Sequence, residues 1–546
     1  MKRKAVAAVL TAVMVASMFT GCGSDKGSSS AKSASAASAA SAANDTVDED
    51  GKVNGIMYQE GLPLVDEGAY TFSIFCDDSS ESGEFIMLDE FKKQTNVDVD
   101  LKIYPYETAT ERLNLDLNSG DYADVIGGWT LSDNAILTYG VNQGVFIPLE
   151  DYFEKYCPNI SAILDLPGVR EKMTAPDGHI YTIPYVCADS TVGYSPYINT
   201  KWLENVGMSM PTTTDEFEAV LKAFKEQDAN GNGDASDEIP FSTDPNNKHI
   251  EAMAGYFGLP MNKLGIAIQN EKVVYGGVSD TYREFLSWFH KLYAEGLVDV
   301  ELYTQDSSTW EGKGNQDLYG VSIAYGSGEF TGIPAAEERG DFDSMPVLNT
   351  DKDGIWLRDT EGFSVYRTQA VITNKAEHPE IICRWFDNAF ALENGIGCNR
   401  GPVGVIVNKE DDGYHAIDTT TLSEEDQEKY SWGNLWPQSL PKYLPADFEF
   451  VEEHPMYDEK KATEEAYEAN LTKEIIPSYW IDLDKIDTFS DTNTAIKDFF
   501  EQQQAQFVCG ELDIDNDADW QAYVDGMYSL GLEDWVATQG IEEIAK

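Results

Sequence analysis

The chain has 546 residues, enough for two domains with large cores, and carries 96 acidic against 38 basic residues for a formal charge of -58. That field argues against nucleic acid as a partner and repels anionic membranes and highly anionic substrates on average, although one local basic pocket could override it. With 24 Phe, 28 Tyr and 11 Trp, the chain is a folded acidic protein rather than a disordered acidic one.

Lys2, Arg3 and Lys4 precede an apolar run from Ala5 to Phe19 that is too short to span a bilayer and ends in Phe19-Thr20-Gly21-Cys22. This order predicts a signal peptide over 1–21, with Cys22 first in the mature chain. No later apolar run approaches the length of a membrane span. From Gly23 to Ala43 the chain is almost entirely Ser, Ala, Gly and Lys, and an acidic stretch from Asn44 to Asp50 follows. Residues 22–67 therefore read as a flexible tether, with folding expected to start near Gly68.

Tyr70, Phe72, Ile74 and Cys76 alternate with smaller residues as a strand; Glu84 to Thr95 reads as a helix. Val97, Val99, Leu101 and Ile103 alternate with polar residues as a second strand, another helix ends near Gly120, and Ala123 to Gly127 makes a third strand. Such β-α-β-α-β units predict an α/β lobe with a parallel sheet, whose ligands bind beyond the carboxyl ends of the strands. Those ends are Asp77 and Asp78, Tyr104, and Gly128 with Trp129. Carboxylates accept from hydroxyls and aromatic faces stack on the C–H side of a sugar ring, so the set suits a polyol. Any one of these residues equally suits loop capping or packing between lobes.

Thr213 and Glu216 form a capping box before a helix whose apolar face is Phe217, Val220, Leu221 and Phe224. Tyr282, Phe285, Leu286, Phe289 and Leu292 give a second amphipathic helix, stopped by Gly296. Both stripes read as core. Between them, Asp228, Asn230, Asn232 and Asp234, with Gly233 at the sixth position, match the first half of an EF-hand-like calcium loop. The twelfth position is Ile239, so Asp237 and Glu238 are expected to close the cage of a structural calcium site; the alternative is an acidic Asn-Gly turn.

No phosphate loop, no H-E-x-x-H and no G-x-S-x-G occurs, and Gly326 to Gly332 lacks dinucleotide spacing. Cys76, Cys157, Cys187, Cys383, Cys398 and Cys509 contain no C-x-x-C pair, and no pairing is predicted. The chain shows no positive sign of catalysis.

Several stretches carry a resemblance: Asp121 to Gly127, Gly144 to Tyr152, Asp177 to Tyr185, Tyr197 to Leu203, the Asp228 loop, His378 to Trp385, and Asp519 to Gln539. In that order they resemble the extracellular solute-binding lipoproteins of ABC transporters, in the large carbohydrate-binding branch. The ending at Cys22 is similar to the bacterial lipobox, departing at Phe19 where that pattern has Leu, Val or Ile. An ordinary secretory cleavage beside a cysteine is the alternative.

The resemblance implies a two-lobed α/β type II periplasmic-binding-protein fold with hinge-crossing strands that closes on its ligand. The first lobe would be 68–190 plus about 364–410, and the second 191–363 plus about 411–546. Carried over by position, Asp78, Trp129 and Tyr185 would line the cleft with Trp310, Tyr325 and Arg400, and with Trp432 and Trp436 as additions. The Asp228 loop is similar to a calcium loop of this branch. The implied protein is a monomer, lipid-anchored at Cys22 on the outer face of a single-membrane bacterium, that captures an oligosaccharide and delivers it to an ABC permease. A surface carbohydrate-active enzyme and a receptor for a peptide or other solute are the alternatives.

Overall fold

The computed structural model describes residues 45–78, 84–244, 249–332, 340–417, 419–445, 448, 450–451, 455–541 and 543–545. The signal peptide and Cys22 lie outside the described residues.

Two sheets organise the body. The first has the order Val97–Tyr104, Tyr70–Asp77, Val125–Gly127, Phe363–Ile372, Thr182–Ala188. Its first three strands are parallel, as the β-α-β-α-β pattern predicts, with Ile74 opposite both Leu101 and Val125. The last two are antiparallel: the returning Phe363–Ile372 strand sits between Val125–Gly127 and Thr182–Ala188. Helices Ile86–Thr95 and Tyr106–Ser119 make the crossovers, and left-handed Asn96 and Gly120 terminate them. Phe72, Phe91, Trp385 and Trp436 form the aromatic centre of this lobe's core, with Trp385 stacked on Trp436 at 5.7 Å.

The second sheet has the order Phe342–Ser344, Ser195–Asn199, Tyr319–Ala324, Ile239–Thr243. Against it pack the two helices expected from periodicity, Thr214–Glu226 and Asp280–Ala294, and every apolar residue named for their stripes is buried. Fully burying the five side chains of the second stripe is worth roughly 7–15 kcal/mol as an upper bound. The Thr213 hydroxyl accepts from the Glu216 N–H, but Glu216 reaches back to Thr212 rather than to Thr213, one residue beyond the standard box. Ile486–Cys509, Asp517–Ser529 and Leu532–Thr538 complete this core, Phe500 stacking on Tyr282 at 5.6 Å.

Two segments depart from the expected boundaries. Residues 45–67, read as tether, are folded onto the first lobe, burying Val53, Met57, Leu64 and Val65 in its core. Asp45 accepts from Tyr156, Asn54 donates to Glu380, and Arg384 donates to the carbonyls of Tyr58, Gln59 and Gly61. The acidic Asp48-Glu-Asp50 run masks this apolar content when composition is averaged. Likewise the 432–443 stretch, assigned to the second lobe, belongs with the first, because Trp436 and Leu440 lie in its core and Met87 N–H donates to the Leu435 carbonyl.

The chain passes between lobes at 189–192 and returns at 359–362, side by side. Asp189 N–H donates to the Gly362 carbonyl and Asp359 N–H to the Thr191 carbonyl, at 3.1 and 3.0 Å.

Candidate functional site

The carboxyl ends of the first-lobe strands divide into structural and open positions. Asp77 is fully buried, and its oxygens accept from the N–H groups of Trp129 at 2.9 Å and Thr130 at 2.6 Å. Burial pushes its carboxyl up while those bonds hold it down. Gly128 has φ +130, and a Cβ there would collide with this carboxylate, so the turn and the acid require one another. Asp78 is also buried and accepts from Gln438 N–H at 2.8 Å. The expectation that this pair faces the crevice is therefore corrected: a strand-end carboxylate next to a tight loop is best satisfied by that loop's N–H groups.

Trp129, carried out by the turn that Asp77 holds, is 46% exposed. Its ring meets Tyr366 at 5.2 Å and Tyr185 at 6.4 Å, and Tyr185 stacks on Tyr366 at 5.4 Å. This pairing follows from register, since Tyr366 and Tyr185 are direct antiparallel partners. Trp432, 53% exposed, stands across Lys442, whose ammonium lies 5.5 Å from the Trp432 ring and 5.8 Å from that of Tyr185. Lys442 is buried, donates to the Gln438 amide oxygen, and is pushed down to about 8 by burial. Two half-exposed tryptophans thus flank a tyrosine pair: a stacking surface with polar edges.

A node at Asp189 carries the surface into the second lobe. Its carboxylate accepts from the hydroxyls of Ser364 at 2.5 Å, Tyr366 at 3.0 Å and Tyr325 at 3.1 Å, drawing residues of both lobes to one group. Tyr325 meets Tyr194 edge-on at 6.1 Å, and Tyr194 stacks on His249 at 4.0 Å. Lys460 lies 3.9 Å from the Tyr325 ring and donates to the carbonyls of Gly193 and Tyr325 at 2.5 and 2.8 Å. Glu329 accepts from Tyr325 N–H at 3.0 Å and Asp359 from Gly193 N–H at 2.6 Å. Both carboxylates are exposed, yet burial pushes them up to about 7 and about 6. A concave wall gives this combination, because water reaches the oxygens from one side while protein encloses them on the others.

The remaining expected ligand residues are elsewhere. Trp310 is 3% exposed and donates to Ser322 inside a core cluster with Phe330, and Trp436 is wholly buried against Trp385; both are corrected from cleft to core. Tyr104 stacks on Phe75 at 4.6 Å, outside the Trp129 group. Arg400 packs over Phe450 at 5.6 Å. Tyr366, Asp189, Tyr194, His249, Glu329, Lys442 and Lys460 escape the sequence reading. Each sits in an ordinary strand, loop or helix, and only the cross-strand register of Phe363–Ile372 offers a signal for one of them.

Two surface hollows lie away from this surface and carry no aromatic ring. One, of about 400 Å³, is lined by Glu67, Asp89 and Lys93, and another, of about 450 Å³, by Pro260, Asn470 and Thr472. Neither offers a stacking face.

The Asp228 loop closes on itself. Asp228 accepts from Gly233 N–H, Glu238 from Ala229 N–H, and the amides of Asn230 and Asn232 both donate to Asp237. The second oxygens of Asp228 and Glu238 are buried without a hydrogen-bond partner, and burial raises the Glu238 carboxyl. Asp234 turns its carboxylate to Ser236, leaving its carbonyl for other use. Two orphaned anionic oxygens in one oxygen-rich loop fit a hard divalent cation.

The family profile of bacterial extracellular solute-binding proteins matches residues 78–395. The chain belongs to that family. This solute-binding protein is 32% identical over 368 residues to the fructooligosaccharide ABC transporter substrate-binding protein FusA of Streptococcus pneumoniae, covering 65% of this chain and 66% of FusA. It is 28% identical over 280 residues to the lipoprotein LipO of Bacillus subtilis, covering 50% of this chain and 52% of LipO. It thus spans about two thirds and about half the length of these curated relatives. Among solved structures, S. pneumoniae FusA in complex with kestose superposes with a TM-score of 0.75 at 26% identity, over 86% of this chain and 98% of that one. A FusA EF-hand mutant in complex with fructo-nystose gives 0.74 at 27%, again over 86% of this chain and 98% of that one. The two-lobed fold of the solute-binding proteins is therefore the fold of this chain.

Proposed function

We propose that this solute-binding protein is a non-enzymatic receptor that captures an oligosaccharide between its lobes and delivers it to an ABC permease. One observation carries the reading. The Trp129, Tyr185 and Tyr366 stacking surface runs through Asp189 into Tyr325, Tyr194 and His249, so aromatic faces and hydrogen-bond acceptors line both sides of the lobe crossing. Sugar rings offer C–H faces to the first kind of group and hydroxyl donors to the second. FusA, a transporter protein for fructooligosaccharides, supports the substrate class. The ligand favours the closed state by touching both lobes, which shifts its population.

Asp228, Asn230, Asn232, Asp237 and Glu238, with the Asp234 carbonyl, would hold a structural calcium ion, which would neutralise the two orphaned oxygens. Cys22 would carry the lipid anchor, and the protein would act as a monomer on the outer cell face. Among the described residues no helix is long and apolar enough to cross a membrane. Isothermal titration calorimetry against an oligosaccharide panel tests the central claim: binding of at least one glycan is expected, and binding of peptides alone refutes it. Mass spectrometry of the mature N-terminus tests the anchor, which an unmodified Cys22 overturns.

A further inference from the structure

Among the described residues, the second-lobe wall of the crevice holds more negative than positive charge. Glu329 feels the charges of Asp244 and Glu311, and Asp359 and Glu459 stand on the same wall, each accepting a backbone N–H. Asp189 collects three hydroxyls at the crossing. Two cations stand among these acids: Lys460, which donates to the carbonyls of Gly193 and Tyr325, and Lys263, close enough to His249 to act on its charge, so the described acids still outnumber them. His249, stacked on Tyr194, is kept uncharged, burial pushing it down to about 3. At the first-lobe end Lys442 is buried under Tyr185 and Trp432 with a bond to Gln438, and Arg400 lies over Phe450.

A neutral sugar meets such a wall with hydroxyl donors, and each donor gains from a carboxylate acceptor. A uronic acid brings a further carboxylate, which only accepts and which every neighbouring acid repels. At about 8 Å and an effective dielectric near 20, one such repulsion costs on the order of tenfold in affinity after partial screening. We propose that the crevice selects uncharged oligosaccharides and rejects uronate-bearing ones, with Glu329 and its neighbours Asp244 and Glu311 as the specificity-determining groups. This selection rests on the carbohydrate reading above.

The test titrates the full mature chain by calorimetry at low and high salt at about pH 8.5, where the Glu329 carboxyl, pushed up to about 7 by burial, is ionised. The probes are neutral malto-, xylo-, manno- and fructo-oligosaccharides, set against oligogalacturonides and aldouronic xylo-oligosaccharides. At least one neutral glycan is expected to bind, with every acidic one at least tenfold weaker. High salt should narrow the gap. Glu329→Gln should lower the neutral-to-acidic affinity ratio about fivefold, Glu329→Asp should restore it, and Arg400→Gln should leave it in place. An acidic glycan that binds as tightly as the best neutral one overturns the charge selection and leaves the carbohydrate reading standing. A ratio unmoved by both salt and Glu329→Gln overturns the assignment to these acids. A panel in which no glycan binds overturns both.

Discussion

Asp77 separates two kinds of site residue, and Asp77→Asn measures which kind it is. The carboxylate is fully buried and holds the N–H groups of Trp129 and Thr130. Each bond to a charged acceptor is worth about 1.5–3 kcal/mol. Asparagine keeps one acceptor oxygen but turns an amide donor toward the second N–H, leaving a buried donor unpaired at about 1–3 kcal/mol. Loss of a buried charge, whose carboxyl is already pushed up by burial, offsets part of that. The expected net loss is roughly 2–4 kcal/mol, which lowers Tm by roughly 5–12 °C for a lobe that unfolds as a unit of 150–250 residues. Differential scanning calorimetry of ligand-free protein reads the stability, and titration of the glycan reads the site. Affinity should fall only as far as Trp129 is displaced, so Trp129→Ala added to Asp77→Asn costs less than the two changes summed. A variant with wild-type Tm but abolished binding would refute the reasoning and return Asp77 to the ligand.

Trp129→Ala and Trp432→Ala should each weaken glycan binding by about 1–2 kcal/mol, roughly 5- to 30-fold, with little change in Tm, since both rings are half exposed. Trp436→Ala should do the reverse, costing about 3–5 kcal/mol of stability in chemical denaturation because it empties the centre of the first core. Adding calcium to chelator-treated protein should raise Tm, by about 2.7 kcal/mol of stabilisation at a hundredfold excess over Kd, and Glu238→Gln should abolish most of that shift. His249 is pushed down to about 3 by burial, so its contribution to stability is complete above its unfolded value near 6.5 and is lost as pH falls toward about 3. His249→Asn, which tolerates the positive φ of 47 at this position, should flatten that acid limb relative to wild type in urea unfolding followed across pH.

Periodicity makes the scaffold legible: the three parallel strands, the two amphipathic helices and Gly120 follow from spacing because each depends only on neighbours in sequence. Trp129 is legible for the same reason, as a large ring just past a strand end. Asp77 and Asp78 mislead because a carboxylate at a strand end has the same sequence signature whether it meets a ligand or the next loop. Trp436 misleads because a proline-flanked tryptophan resembles a cleft rim, and only the distant Trp385 reveals it as core. Asp189 and Tyr366 are illegible for the opposite reason. Their role arises when a strand returns from 177 residues away to place the Ser364 and Tyr366 hydroxyls on one carboxylate, where Tyr325 of the other lobe joins them. The Asp228 loop stands between these cases, since its ligand spacing is local while the buried orphan oxygens appear only when it is folded.

The clip formed by residues 45–67 has a mechanical consequence. Asp45 is held by Tyr156, and the turn at Tyr58 to Gly61 is held by Arg384, so a load arriving along the backbone from residue 44 enters the first lobe alone. The Trp129 platform is then the stator of the receptor. The second lobe is linked to it through the paired crossings at 189–192 and 359–362 and through the chain that runs on past Tyr443 and returns at Trp480 to the Lys172 carbonyl; in the proposed receptor it would be the moving arm, carrying the acidic wall toward a stationary aromatic bench on closure.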